Sequence, residues 1–174
     1  CLRELLDKGA DLEAREANGG TALHVAVTMG QLDCLGELCE RGADTEAKNN
    51  TGFTPLTLGI ALGEVPCVRK LLKRGADVEG RSSDGCTPLM CAVQARQLEC
   101  LQALCDYGAD LNAKREGGSG LGLTPVMMAV LRKDTQCLRE LVKRGANTDF
   151  KDARGSLRLL STKFESVLSG KEGE

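Results

Sequence analysis

The chain has 174 residues, with 23 Lys and Arg against 25 Asp and Glu, a formal net charge of −2. That balance excludes the basic footprint of a nucleic-acid or anionic-membrane binder. No apolar run approaches the roughly 20 residues of a membrane span, and the opening residues do not read as a secretory leader. Aromatic residues are 2% and tryptophan is absent, so a core must rest on Leu, Val, Ala, Met and Cys.

In chain order, Cys1-Leu2-Arg3-Glu4-Leu5-Leu6 carries the apolar stripe of one helix, and Gly9-Ala10-Asp11 ends it. Its partner helix is not in the sequence, so residues 1–15 read as the second half of a unit and the natural chain is expected to continue upstream. A complete unit follows at 16–48, with Thr21-Ala22-Leu23-His24, then Cys34-Leu35 and Leu38-Cys39, then Gly42-Ala43-Asp44. The next unit, 49–81, repeats it as Thr54-Pro55-Leu56, Cys67-Val68-Arg69-Lys70-Leu71-Leu72 and Gly75-Ala76-Asp77. Unit 82–114 has Thr87-Pro88-Leu89, Cys100-Leu101 and Gly108-Ala109-Asp110. Unit 115–151 has Thr124-Pro125-Val126, Cys137-Leu138 and Gly145-Ala146-Asn147. The threonines step by 33, 33 and 37 residues, and the last four Gly-Ala pairs keep the same steps. A fixed period of this length marks a stack of repeated units. The four extra residues fall within 115–121, in a projecting loop. A binding insertion and a tolerated flexible loop both fit there, since lengthening a loop costs little.

Each unit reads as helix, turn, helix and projecting loop. Thr54, Thr87 and Thr124 are helix caps, and the prolines behind them fill the first helical position, where a missing N–H costs nothing. The second helix carries apolar residues at i, i+1, i+4 and i+5, one stripe facing its neighbours. The glycine of Gly-Ala-Asp supplies the left-handed conformation that ends it. The last segment decays: Leu157-Arg158 replaces Thr-Pro, and Leu159, Leu160, Phe164, Val167 and Leu168 predict a degenerate capping helix over 152–168. Residues 169–174 are expected to be a disordered tail.

These residues closely resemble the ankyrin repeat, whose pattern runs Gly-x-Thr-Pro-Leu-His, an apolar second helix and Gly-Ala-Asp. The resemblance covers residues 1 to about 157 and implies an all-α solenoid of stacked helix-turn-helix units with projecting finger loops, forming one domain. Two departures stand out. The family histidine, present as His24, is replaced by Thr57, Met90 and Met127, so its hydrogen bond is expected to be missing there. The glycine between the helices, Gly30 and Gly63, becomes Arg96 and Lys133, and those two turns are expected to be rebuilt.

Nine cysteines invite a metal or redox reading. Cys1, Cys34, Cys67, Cys100 and Cys137 share one repeat position, Cys39 and Cys105 another, and Cys91 falls on the first helix. All eight lie on core faces. Stacked helices sit roughly 8–10 Å apart, beyond the roughly 7 Å between Cα atoms that a disulfide tolerates. No Cys-x-x-Cys pair and only one histidine are present, so neither a metal nor a cofactor is expected. The thiols read as small buried hydrophobes of a reducing, intracellular compartment, cytoplasmic or nuclear. Only Cys86, in a loop, is expected to be exposed. No catalytic set is found, Gly117-Gly118-Ser119-Gly120 is not a phosphate loop, and His24 reads as a structural hydrogen-bonder. The chain is not expected to be an enzyme.

What remains is surface. The resemblance implies a concave groove made by loop tips and first helices. By register its candidate contacts are Met29, Phe53, Leu62, Cys86, Gln94, Leu121, Leu123, Leu131 and Arg132. Apolar residues at such positions mark a contact site, and Phe53 is the aromatic anchor among them. A second column, Arg15, Lys48, Arg81, Lys114 and Lys151, stands at the loop bases, two residues after Glu13, Glu46, Glu79, Asn112 and Asp149. The favoured account is a ladder of surface ion pairs, each worth under about 1 kcal/mol. The sharper one is a basic stripe for acidic residues of a partner. Four units at roughly 8–10 Å each give a groove that an extended segment of about 11–12 residues lines. The resemblance also makes Asn112 a candidate for asparagine hydroxylation. The expected function is a monomeric interaction module holding a protein or peptide with apolar anchors. The alternative is a regulatory or spacer domain of a larger protein, making intramolecular contacts.

Overall fold

The computed structural model describes residues 2–116 and 122–148. The expected capping helix, the tail, Leu121 and Lys151 lie outside them, as does all of the 115–121 loop except Arg115 and Glu116. Among the described residues the chain is all helical: α1 (Leu2–Asp7), α2 (Ala22–Thr28), α3 (Leu32–Glu40), α4 (Pro55–Leu62), α5 (Val65–Lys73), α6 (Pro88–Ala95), α7 (Leu98–Asp106), α8 (Pro125–Leu131) and α9 (Thr135–Lys143). First helices stack in one row, α2 on α4 on α6 on α8, and second helices in another, α3 on α5 on α7 on α9.

Local chemistry explains the boundaries. The side chains of Thr54, Thr87 and Thr124 accept from the N–H groups of Thr57, Met90 and Met127, satisfying donors a helix start leaves orphaned. Each second helix closes with a pair of bonds to its last turn. The Gly42 N–H donates to the Cys39 carbonyl (3.1 Å) and the Ala43 N–H to that of Leu38 (3.0 Å), repeated at Gly75 and Ala76. This is the crossed pattern that a left-handed glycine permits.

The core is the shared stripe of both rows. Cys67, Val68 and Leu71 are fully buried, as are Cys100, Leu101 and Leu104, and Leu138 and Leu141. Burying each such leucine contributes about 1.5–3 kcal/mol. Cys34, Cys39 and Cys105 are half-buried. Burial pushes the Cys91 and Cys100 thiols up to about 11.

Of two expectations about departures from the repeat, the first is corrected at Thr57 only and the second in full. Thr57 replaces half of what His24 does. In unit 16–48 the Thr21 N–H donates to His24 Nδ1 (3.1 Å), and Nε2 donates to the Phe53 carbonyl of the next unit (2.9 Å). In unit 49–81 the Thr54 N–H donates to Thr57 Oγ1 (2.8 Å), so the bond to the cap survives without a histidine. The turns at Arg96 and Lys133 are not rebuilt. Their φ values of 56° and 54° match the 62° and 75° of Gly30 and Gly63. The closing bonds match as well: Gln97 N–H to Ala92 O (2.9 Å) and Asp134 N–H to Ala129 O (3.0 Å) repeat Glu64 N–H to Gly59 O (2.9 Å). Tertiary packing holds a side-chain-bearing residue where glycine is cheap, at about 1–2 kcal/mol each.

Candidate functional site

Three rows of residues line the face built by first helices and fingers: the fingertips, the exposed side of the first helices, and the turns between the helices. On the helix row Val25, Met29, Leu62 and Leu131 are 43%, 66%, 49% and 51% exposed. Unit 82–114 interrupts this apolar row, presenting half-buried Gln94 and Ala95. Arg132 is exposed, and Phe53 and Leu123 are half-buried. Val25 escaped the sequence reading. Its exposure has a legible cause: the residue before each cap is Phe53, Cys86 or Leu123 in later units but Gly20 in the first. An apolar residue there normally packs on the position five further along, and Gly20 has no side chain to cover Val25.

Cys86 is not exposed, contrary to expectation: none of it is reached by solvent. Its thiol donates to Asp84 Oδ2 (3.4 Å), and Gln94 Nε2 donates to its sulfur (3.4 Å). Burial and the adjoining Asp84 carboxylate push this thiol up to about 12, which disfavours the reactive thiolate. Burial also pushes Asp84 up, but hydrogen bonds from Ser82 and Cys86 and the Arg115 charge outweigh it and hold its carboxyl below the usual range. Cys86 therefore braces the third finger and offers a partner nothing.

The column at the loop bases is not an ion-pair ladder. Glu13, Glu46 and Glu79 each accept a backbone N–H from the next unit, that of Asp44 (2.8 Å), Asp77 (2.9 Å) and Asp110 (2.7 Å). Asn112 Oδ1 does the same for the Asn147 N–H (2.7 Å). Arg15 Nη1 donates to the Gly19 carbonyl (3.1 Å) and across to that of Lys48 (2.7 Å). Arg81 repeats this with Gly85 and Lys114 (3.0 Å each) and also pairs with Glu116 (3.4 Å). Lys48 and Lys114 are exposed. Inter-unit ion pairs recur at the far ends of the second helices, as Asp7–Arg41 (2.6 Å), Glu40–Arg74 and Asp106–Arg144 (2.7 Å); at the fingers, among the described residues, they are confined to the third and fourth, as Arg81–Glu116 (3.4 Å) and Asp84–Arg115 (3.2 Å).

The arginine clamps produce an alternation. The first and second fingers are joined by Arg15 and by the Asn50 N–H to Asn18 carbonyl bond (2.9 Å). The third and fourth are joined by Arg81 and by the Glu116 N–H to Gly85 carbonyl bond (3.1 Å). Between the second and third, where Lys48 replaces the arginine, no hydrogen bond joins the fingertips among the described residues. Ser83 instead packs under Gly52, and an open pocket of about 410 Å³ lies there between Thr51, Phe53, Ser83, Asp84, Cys91 and Gln94.

A second hollow, also about 410 Å³, lies between α3 and α5 where Gly36 stands in for Arg69, Gln102 and Arg139 of the other units. Its charged lining includes the paired Arg3 and Glu37 (2.7 Å). Among the described residues no group of His, Cys, Asp and Glu side chains could hold a metal ion, and no helix is long and apolar enough to cross a membrane.

Stacked helix pairs with projecting fingers and a lined inner face define a helical-repeat solenoid. The chain matches the family model for ankyrin repeats in three copies over residues 1–49 and 44–115, and the model for the single ankyrin repeat over residues 121–153. It belongs to the ankyrin-repeat family. A search of curated proteins finds no match. Ankyrin repeats are generally protein–protein interaction modules and typically not enzymes.

Proposed function

We propose that this chain is a non-catalytic interaction module that holds a segment of a partner protein against its first-helix row and fingertips, in a reducing compartment. The observation that carries this reading is the apolar row. Of the seven large hydrophobic residues exposed among the described ones, Val25, Met29, Leu62 and Leu131 stand on first helices or at their ends, whereas Leu5, Leu32 and Tyr107 belong to second helices. Apolar side chains gathered on one face are a contact surface. Phe53 and Leu123 flank the row, and Gln94 and Arg132 supply polar contacts within it.

The test is affinity capture from lysate, followed by direct titration of the captured protein against wild type and a Met29→Ser/Leu62→Ser/Leu131→Ser variant. All three side chains are exposed, so circular dichroism should show an unchanged fold. Loss of direct binding in the variant supports the groove; unchanged binding removes it. Asn112 is proposed as a hydroxylation site on the family resemblance. Protein from native cells should then show a gain of one oxygen localised to that residue, and an unmodified peptide would refute it.

A further inference from the structure

The turns between the helices contain an anomaly in the backbone. The first two complete units close this turn with Gly30 and Gly63, and the next two close it with Arg96 and Lys133 in the same left-handed conformation. Glycine is the low-strain choice there, and the chain uses it twice. Residues held in such strained conformations gather at functional sites. Here the two substitutions have one thing in common: each places a cation on the same rim.

The rim is concentrated further. Arg132, beside Lys133, occupies the register position of Met29 and Leu62. The Arg96 guanidinium crosses the unit boundary and donates to the Arg132 carbonyl (2.9 Å), drawing the two turns together. Arg96, Arg132 and Lys133 are all exposed. None of them enters an ion pair recorded among the described residues. Asp134, the carboxylate of the same turn, is buried: its Oδ1 accepts the Cys137 N–H (3.1 Å) and caps α9, and its Oδ2 is closed off from solvent without a hydrogen-bond partner among the described residues. The inner face therefore changes character along its length: Met29 and Leu62 stand without a neighbouring cation, whereas Leu131 at the other end is set beside Arg132 and Lys133, with Arg96 one unit before.

We propose that this cationic end binds a run of acidic residues in an extended partner segment whose apolar residues lie on Met29 and Leu62, so that charge fixes the direction of the segment. The inference rests on the groove reading above. Unpaired like charges at a rim select an oppositely charged partner and exclude the reversed orientation. A nucleic acid fits less well, because the chain carries a net charge of −2 and the exposed aromatic among the described residues, Tyr107, stands at the end of α7 rather than on this rim. Two units of roughly 8–10 Å separate Leu62 from Arg132, a span of about five or six extended residues.

The test uses the full chain, isotope-labelled, and three capped peptides. Each has two leucines, a five-residue Gly-Ser spacer and then three Glu, three Gln or three Lys. Amide shifts are followed on titration at low and raised salt. The Glu peptide should perturb Arg96, Arg132 and Lys133 together with Leu62, bind about tenfold or more tighter than the Gln peptide, and weaken as salt rises. An Arg96→Gly/Lys133→Gly variant restores the residue of the first two units. It should lose that advantage while melting at the same temperature or higher. Overturning results are equal binding of the Glu and Gln peptides, no shifts at the three cations, or a variant that melts higher and binds unchanged. Tighter binding of single-stranded DNA or phosphatidylserine vesicles at the same amides would also overturn it. A Met29→Ser/Leu62→Ser variant separates this idea from the groove reading. If that variant alone loses the Glu peptide, the groove stands and the cationic end falls. If only Arg96→Gly/Lys133→Gly loses it, the cationic end stands without the groove.

Discussion

Units 16–48 and 49–81 share one backbone plan with units 82–114 and 115–151, yet the two halves present different surfaces. The cores are alike: Val68 and Leu71 in one half and Leu101 and Leu104 in the other are equally buried. The inter-helix turns are alike in φ but not in residue, glycine in one half and cation in the other. A solenoid buries each unit only against its neighbours, so packing fixes the inward stripe and leaves the rim free to vary. The difference between the halves lies where stability does not dictate the residue, and at Arg96 and Lys133 it runs against local preference.

The largest expected effect tests the shared half of this comparison. Leu71→Ala and Leu104→Ala should each cost about 2–5 kcal/mol in urea unfolding, by similar amounts in the two halves; a marked asymmetry would show that the cores differ after all. Next is His24→Ala. It removes the acceptor for the Thr21 N–H, a buried bond, and the donor to the Phe53 carbonyl, a part-buried one, and should cost about 1–3 kcal/mol in the same assay.

Exchanging the turns sharpens the contrast directly. Gly63→Arg should lose about 1–2 kcal/mol through its left-handed φ, and Arg96→Gly should be neutral or gain up to about 1 kcal/mol. If both exchanges are silent in thermal melts, the left-handed strain is not real. The smallest effect concerns the fingertips. In hydrogen exchange the Asn50 and Glu116 amides, each bonded across to the preceding finger, should be protected relative to the Ser83 amide, which has no such bond. Equal rates would remove the alternation.

Much of the architecture was legible because its signals are local and repeated. The Thr caps, the prolines at the first helical position, the two-by-two apolar stripe and the closing Gly-Ala each act within a few residues, and the period multiplies their weight. What escaped depends on distance in sequence. Glu13 and Arg15 look like ion-pair material until the donor to Glu13, 31 residues away, and the acceptor for Arg15, 33 residues away, are seen to be backbone groups. Cys86 looks like an exposed loop residue until Asp84, Gln94 and the packing above it close over the sulfur. Of the groove, the exposure of Met29, Leu62 and Leu131 followed from register alone. The cations at 96 and 133 were visible as departures from the pattern, but that they keep the glycine conformation is decided by the stacked helices on either side.

The missing clamp at Lys48 has a mechanical consequence. The sequence repeats one unit at a time, but the finger row is linked in twos, first to second and third to fourth. At the same junction the second helices are tied by Arg69–Asp106 at 3.7 Å, whereas Arg41, Arg74 and Arg144 reach their partners more closely. Helix packing is continuous through the middle of the array. The interruption at Lys48 is therefore confined to the fingers: a partner that spreads the fingertips meets no hydrogen bond between the second and third among the described residues, while the helix rows beneath run through that junction unbroken.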